Sequence, residues 1–185
     1  MKLNINKREV GSHSIINQMR RQGRIPAVVY KQGKEAEAIS VDCAEFETAL
    51  RSMKKGRLAT TVFALSDAGK EFSAIVKDIQ YHPSTYRIQH LDFVELVDGI
   101  PVSVNVPIEC IGMDECPGIK LGGVLRQVLR KLPVRCLPKD IPTHFSLSVK
   151  GLSLLQSQRL NAIEIPKALQ TLCNLNEVAA VIVKR

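Results

Sequence analysis

Apolar residues in this chain come in short runs separated by turn formers, a texture that admits short strands and a few helices but no long bundle. Leu3 and Ile5 alternate with polar neighbours in a first strand. Gly11 to Gln22 is polar and basic with isolated Ile and Met, which suits a loop carrying a short helix. Ile25-Pro26-Ala27-Val28-Val29-Tyr30 makes a second strand, entered through a proline that fits a strand's first position or an edge and closed by Gln32-Gly33-Lys34 as a turn. Ala38 to Val41 makes a third. Asp42 then stands as the N-cap of a helix whose apolar positions, Ala44, Phe46, Ala49, Leu50 and Met53, fall mostly three and four apart, and Lys54-Lys55-Gly56-Arg57 stops it. Thr60 to Leu65 and Phe72 to Ile79 flank the turn residues Ser66-Asp67-Ala68-Gly69-Lys70, a β-meander of short strands. His82-Pro83-Ser84-Thr85 breaks the chain before a further strand from Ile88 to Val94.

Near Leu96-Val97-Asp98-Gly99-Ile100-Pro101 the texture changes, which places a domain boundary there and divides the chain into residues 1–95 and 96–185. Lys and Arg thin out beyond it, and six of the nine prolines lie past Pro101. Alternation is strong in Val102 to Ile108, Phe145 to Val149 and Val178 to Val183. Arg126 to Leu132 fits strand or helix, and Pro133 behind it favours strand; Gln156 to Leu160 or Lys167 to Leu172 suits single helical turns. Gly118-Ile119-Lys120-Leu121-Gly122-Gly123 lacks the Gly-Lys-Ser/Thr order of a phosphate loop and reads as a hairpin turn.

Charge narrows the function. Lys and Arg number 26 against 18 acids, for a net charge of +8, and residues 1–34 hold eight of those bases against the single acid Glu9. Such placement points to a polyanion. Five cysteines, odd in number and without a CxxC pair, read as reduced thiols; no apolar run reaches a membrane span, so a cytoplasmic protein with no membrane partner is expected. His82, His90 and Asp92 lack a further His or Glu at ligand spacing, so neither metal nor cofactor is expected. No Gly-x-Ser-x-Gly, HExxH or dinucleotide-binding glycines occur, which argues against an enzyme or a small-molecule substrate.

Two stretches carry chemistry a strand core has no use for. Arg20-Arg21-Gln22-Gly23-Arg24 runs into the strand ending at Tyr30, and Asp78-Ile79-Gln80-Tyr81-His82-Pro83 runs on to Gln89-His90-Leu91-Asp92-Phe93. Guanidinium forks pair with phosphate oxygens, and rings stack on bases, so an RNA-binding surface needs all of these groups. His90 and Asp92, two apart on a strand, project from one face and leave Leu91 and Phe93 to point inward. For Tyr30 a core-edge role and an RNA contact stay equally open, as do a supporting role and a phosphate contact for His82.

The fragments Arg21-x-x-Gly-x-Ile-Pro-Ala-Val-Val-Tyr30, Val76-x-Asp-Ile-Gln80-x-His-Pro83, His90-x-Asp-Phe93, Pro117-Gly118-x-Lys-x-Gly-Gly123 and Val134-x-Cys-Leu-Pro138 occur in this order. Together they resemble the bacterial large-subunit ribosomal proteins that bind 5S rRNA, in the long two-domain form called Ctc or general stress protein. The resemblance spans nearly the whole chain. It implies a mostly β protein with a few helices: an N-terminal β-barrel, similar to the anticodon-binding barrel of glutaminyl-tRNA synthetase and docking on a loop E-type helix of 5S rRNA, and a β-rich C-terminal domain. The expected partners are 5S rRNA, the large ribosomal subunit and neighbouring ribosomal proteins. It also implies an RNA face that maps onto Arg8, Arg20, Arg21, Tyr30, His90 and Asp92, to which position adds Gln80. Asn17 and Gln18 stand where many relatives carry further arginines and Lys31 where Gly is usual, which leaves two outcomes open: a lower affinity, or compensation by Arg24 and Lys31. An RNA-binding stress factor or chaperone that visits ribosomes conditionally is the alternative.

Overall fold

Leu3 and Ile5 are both buried on strand β1 (Lys2–Lys7) while the residues beside them face solvent, the burial pattern of a strand with one face on a core. The computed structural model describes every residue except Val10, Gln32, Lys34, Ala68, Gly69, Lys167 and Arg185, and the side chain of His13 is likewise outside the description. It divides into two compact units, Met1–Ile100 and Pro101–Arg185.

In the first unit, helix α1 (His13–Arg21), strands β2 (Arg24–Tyr30) and β3 (Glu37–Asp42), helix α2 (Cys43–Ser52) and strands β4 (Val62–Asp67), β5 (Lys70–Tyr81) and β6 (Ile88–Glu95) follow β1. Six strands close into a barrel in the order β1-β3-β2-β6-β5-β4. This is the barrel that the resemblance implied; the meander legible in the residues alone does not contain the two parallel pairings that seal the ring, β2 with β6 and β1 with β4, between strands far apart in the chain. Gly23 makes the reversal from α1 into β2 with a φ of +78°, a conformation glycine adopts at no steric cost. Asp42 caps α2 as its position predicted, Oδ1 accepting from the N–H groups of Ala44 at 2.8 Å and Glu45 at 3.1 Å. From that helix Phe46 enters the core beside Phe63, which in turn meets Phe93 edge-on at 6.4 Å between ring centroids. Full burial of each such ring contributes about 2 kcal/mol.

Pro26 departs from expectation. It is the third residue of β2, and β2 is an interior strand of the ring, paired on both sides. The Cys43 N–H donates to the Gly23 carbonyl, which makes 25/41 and 27/39 hydrogen-bonded pairs of the antiparallel ladder and leaves Pro26 and Ser40 as a non-hydrogen-bonded pair; the proline nitrogen thus points away from β3, and pairing with β6 starts only at Ala27. The expected turns at Gln32-Gly33-Lys34 and around Ala68-Gly69 lie in part outside the described residues.

The second unit holds strands β7 (Val102–Ile111), helix α3 (Pro117–Lys120), and strands β8 (Gly123–Gln127), β9 (Lys131–Cys136), β10 (Phe145–Ser148), β11 (Ser157–Arg159), β12 (Gln170–Thr171) and β13 (Val178–Lys184). These form a four-stranded sheet in the order β10-β7-β9-β12 and a three-stranded sheet in the order β11-β13-β8. The protein is thus mostly β, a barrel followed by a β-rich unit.

Three local expectations need correction. The glycine-rich stretch from Gly118 is no hairpin turn: Pro117 opens the one-turn helix α3, and Gly118 approaches the backbone of Leu152 and donates its N–H to that carbonyl at 2.9 Å. Arg126 to Leu132 is not one strand. It leaves β13 after Gln127, turns while Val128 and Leu129 both donate to the Ala179 carbonyl, and joins β7 from Lys131, so it crosses from one sheet to the other. Gln156 to Leu160 is mostly strand rather than a helical turn, drawn into the sheet by β13, with a single 3-10 turn at Leu160–Ala162. Lys167 is outside the description, and the rest of that segment supplies β12.

Candidate nucleic-acid interface

Full burial of Leu91 and Phe93 forces His90 and Asp92 onto the outer face of β6. There His90 Nδ1 lies 2.7 Å from Asp92 Oδ1, and the Tyr30 hydroxyl donates to Asp92 Oδ2 at 3.4 Å. The carboxylate can only accept, so Nδ1 carries the proton and Nε2 remains to accept from, or when protonated donate to, another molecule. Adjacent strands supply the rest: β2 runs parallel to β6 with Tyr30 level with Val94, and on β5 Gln80 sits directly opposite His90. One acid thus orients a phenol from one strand and an imidazole from another. Tyr30 is 44% exposed. Its pKa is raised above the ordinary tyrosine value, first by the charge of Asp92, then by burial and by the hydrogen bond itself. The phenol therefore stays neutral and keeps a proton to donate.

The basic residues expected beside this group are not all placed with it. Arg8 Nε donates to the Ile39 carbonyl at 2.9 Å, and burial lowers the pKa of its guanidinium. Arg20 Nη1 donates to Asn17 Oδ1 at 3.2 Å while Nε and Nη2 reach the Gln89 carbonyl. Arg24 meets Asn6 once that amide is turned so that its oxygen faces the guanidinium. Lys31, which compensation would require, is held between Glu37 at 3.1 Å and Glu95 at 3.8 Å and lies over the Phe72 ring, so its charge is spent inside the protein.

Arg20, Arg21 and Arg24 instead line an open groove of about 590 Å³, together with Arg87 and His82. Tyr30, Gln80, His90, Asp92 and Arg8 are not among its lining residues. Among the described residues Glu47 is the one acid on its wall, its carboxylate shared between Arg51, 3.4 Å away along α2, and the thiol of the groove residue Cys43 at 3.5 Å. His82 supports the adjoining turn, Nδ1 accepting from the N–H groups of Ser84 and Thr85 at 3.3 Å each. Sequence reasoning missed Arg87, because attention to charge stopped at the dense basic run before residue 34; its position one strand-turn away from His82-Pro83 was the available signal.

Among the described residues, no cluster of three His, Cys, Asp or Glu could hold a metal, and no helix is long and apolar enough to cross a membrane.

Two family models match the chain. The ribosomal L25p family covers residues 3–93, and the ribosomal protein TL5 C-terminal domain covers residues 101–185. Similar proteins include the large ribosomal subunit protein bL25 of Chlamydia trachomatis serovar L2, 48% identical over 185 residues that span all of both chains. Those of Chlamydia pneumoniae and Chlamydia muridarum are each 45% identical over the same full length.

Proposed function

We propose, on the premise that this chain belongs to the ribosomal L25p family in its longer form with a TL5-type second domain, that it is a structural component of the large ribosomal subunit and binds 5S rRNA through its barrel. The family is one of ribosomal proteins and not of enzymes. What carries the RNA reading is the Tyr30–Asp92–His90 group, three polar side chains tied to one another on the outer face of β2 and β6, none of them part of the buried apolar core. A-form RNA offers a wide minor groove rich in 2'-hydroxyls, which a strand face with fixed donors and acceptors can read. The groove arginines supply attraction to phosphate, and the Tyr30 face with Gln80 supplies discrimination. Residues 1–95 carry this role, since Arg20, Arg21, Arg24, Tyr30, Gln80, Arg87, His90 and Asp92 all precede that point.

Asp92→Asn is the test, because it keeps the shape of the side chain and removes its charge. Binding to 5S rRNA should weaken by about 1–3 kcal/mol, the scale of a specific polar contact, while binding to an unrelated duplex RNA stays level or rises slightly. A folded variant that binds both RNAs as well as the parent protein would make Asp92 an ordinary surface acid and remove the reading's main support.

A further inference from the structure

We infer that the turn joining β5 to β6 is a stacking site for an unpaired RNA base, with the adjoining arginine groove taking the phosphates on either side of that base. This rests on the reading of the barrel as an RNA binder, and it adds a contact outside the Tyr30–His90–Asp92 face.

The first observation is Tyr86. Its φ is +54°, a left-handed conformation that a ring-bearing residue rarely adopts, and its side chain is 77% exposed. A glycine would meet the same backbone demand without strain. The ring gives almost no burial in exchange, so folding does not account for a tyrosine at this position. Residues in such conformations gather at sites of recognition.

The second observation is that the turn is held rigid. The His82 N–H donates to the Arg87 carbonyl at 2.8 Å, the Tyr86 N–H donates to the His82 carbonyl at 2.9 Å, and the His82 ring braces Ser84 and Thr85 from within. Tyr86 is therefore presented on a fixed loop, which lowers the entropy lost when a flat partner covers it. Tyr81, at the end of β5, is a second aromatic that is 50% exposed.

The third observation is charge. Thr85 and Arg87, the neighbours of Tyr86 in sequence, both line the groove that also holds Arg20, Arg21 and Arg24. Neither Arg21 nor Arg87 forms a salt bridge among the described residues. Exposed rings next to unneutralised guanidinium groups, on a turn otherwise made of Pro83, Ser84 and Thr85, suit a π-face flanked by phosphates.

Full-length protein titrated into two RNA hairpins, identical except that one carries a single bulged 2-aminopurine, tests this. The parent protein should prefer the bulged hairpin and quench its fluorescence. Tyr86→Gly should lose that preference, about 5- to 150-fold in affinity, without a fall in melting temperature, whereas Tyr86→Phe should keep it. Equal binding of both hairpins by the parent protein, or an intact preference in Tyr86→Gly, would overturn the proposal. Parallel titrations with 5S rRNA separate the two readings: loss on Asp92→Asn but none of the bulge effects sinks only the stacking site, and a bulge preference without 5S rRNA binding sinks only the ribosomal-RNA assignment.

Discussion

The Arg20 guanidinium grips the carbonyl oxygen of Gln89 from two nitrogens, Nε at 3.3 Å and Nη2 at 3.1 Å, and so ties the last turn of α1 to the start of β6. Its neighbour Arg21 makes no such bond to the protein among the described residues. The two therefore differ in kind despite their adjacency. Arg20→Ala should cost about 1 kcal/mol of stability as well as weaken RNA binding. Arg21→Ala should leave the melting temperature in place and lower the slope of log affinity against log salt by up to about one unit. Thermal melts and salt titrations on the two variants check this, and equal melting temperatures for both would deny the Gln89 tie a structural role.

Tyr30 sets a pH dependence. Its pKa is raised above the ordinary tyrosine value of 10.0, chiefly by the Asp92 charge, so the folded barrel holds the phenol proton more tightly than the unfolded chain does. The resulting stabilisation is fully present below pH 10.0 and is lost as pH climbs through the folded value. A phenolate absorbance titration, read as the difference between the parent protein and Tyr30→Phe, should place the midpoint of this tyrosine on the alkaline side. Asp92→Asn should bring it back down. An unchanged midpoint in that variant would mean the carboxylate and the phenol are apart in solution.

In the second unit, Gly118 is required by space and not by conformation. A Cβ there would stand 2.9 Å from the Ser153 carbonyl carbon and 3.0 Å from the Leu152 oxygen, both backbone atoms that cannot rotate away. Gly118→Ala should cost about 1–3 kcal/mol, the range for overpacking. The buried Cys116 thiol also donates to the Leu152 carbonyl, at 3.2 Å, which provides a local reporter. Its reaction with a thiol reagent should accelerate in the variant, and an unaltered rate would mean that α3 shifts without cost.

Alternation made β1 and β6 legible in the sequence, because a strand with one buried face repeats every two residues whatever it pairs with; β13, expected to alternate as well, is a short apolar run instead, and both Ala179 and Ala180 are buried in it. The Asp42 cap was legible for the same reason, since its hydrogen bonds lie within its own turn. His90 and Asp92 could be put on one face by spacing alone. Pairing between distant strands leaves no such mark, so the ring order and the true setting of Pro26 had to come from the structure. Arg8, Arg20 and Lys31 illustrate the limit for the site: a formal charge in a sequence is the same whether its hydrogen bonds go to a carbonyl of the protein or to a ligand. Arg87 enters the groove through the fold of the β5–β6 turn, which no short-range pattern encodes.

The two parallel seams of the barrel impose an order on its assembly. As the chain lengthens, β1, β2 and β3 can pair as soon as Asp42 is available, but Lys2 meets Ala64 and Ala27 meets Leu91 only after long stretches of intervening chain. Closing such loops is slow, because their entropy is lost before any contact repays it. The strand that completes the second seam is β6, and the same eight residues deliver Leu91 and Phe93 to the interior and His90 and Asp92 to the surface. Maturation of the barrel and creation of the proposed RNA face are therefore one event, and an unfinished chain presents neither.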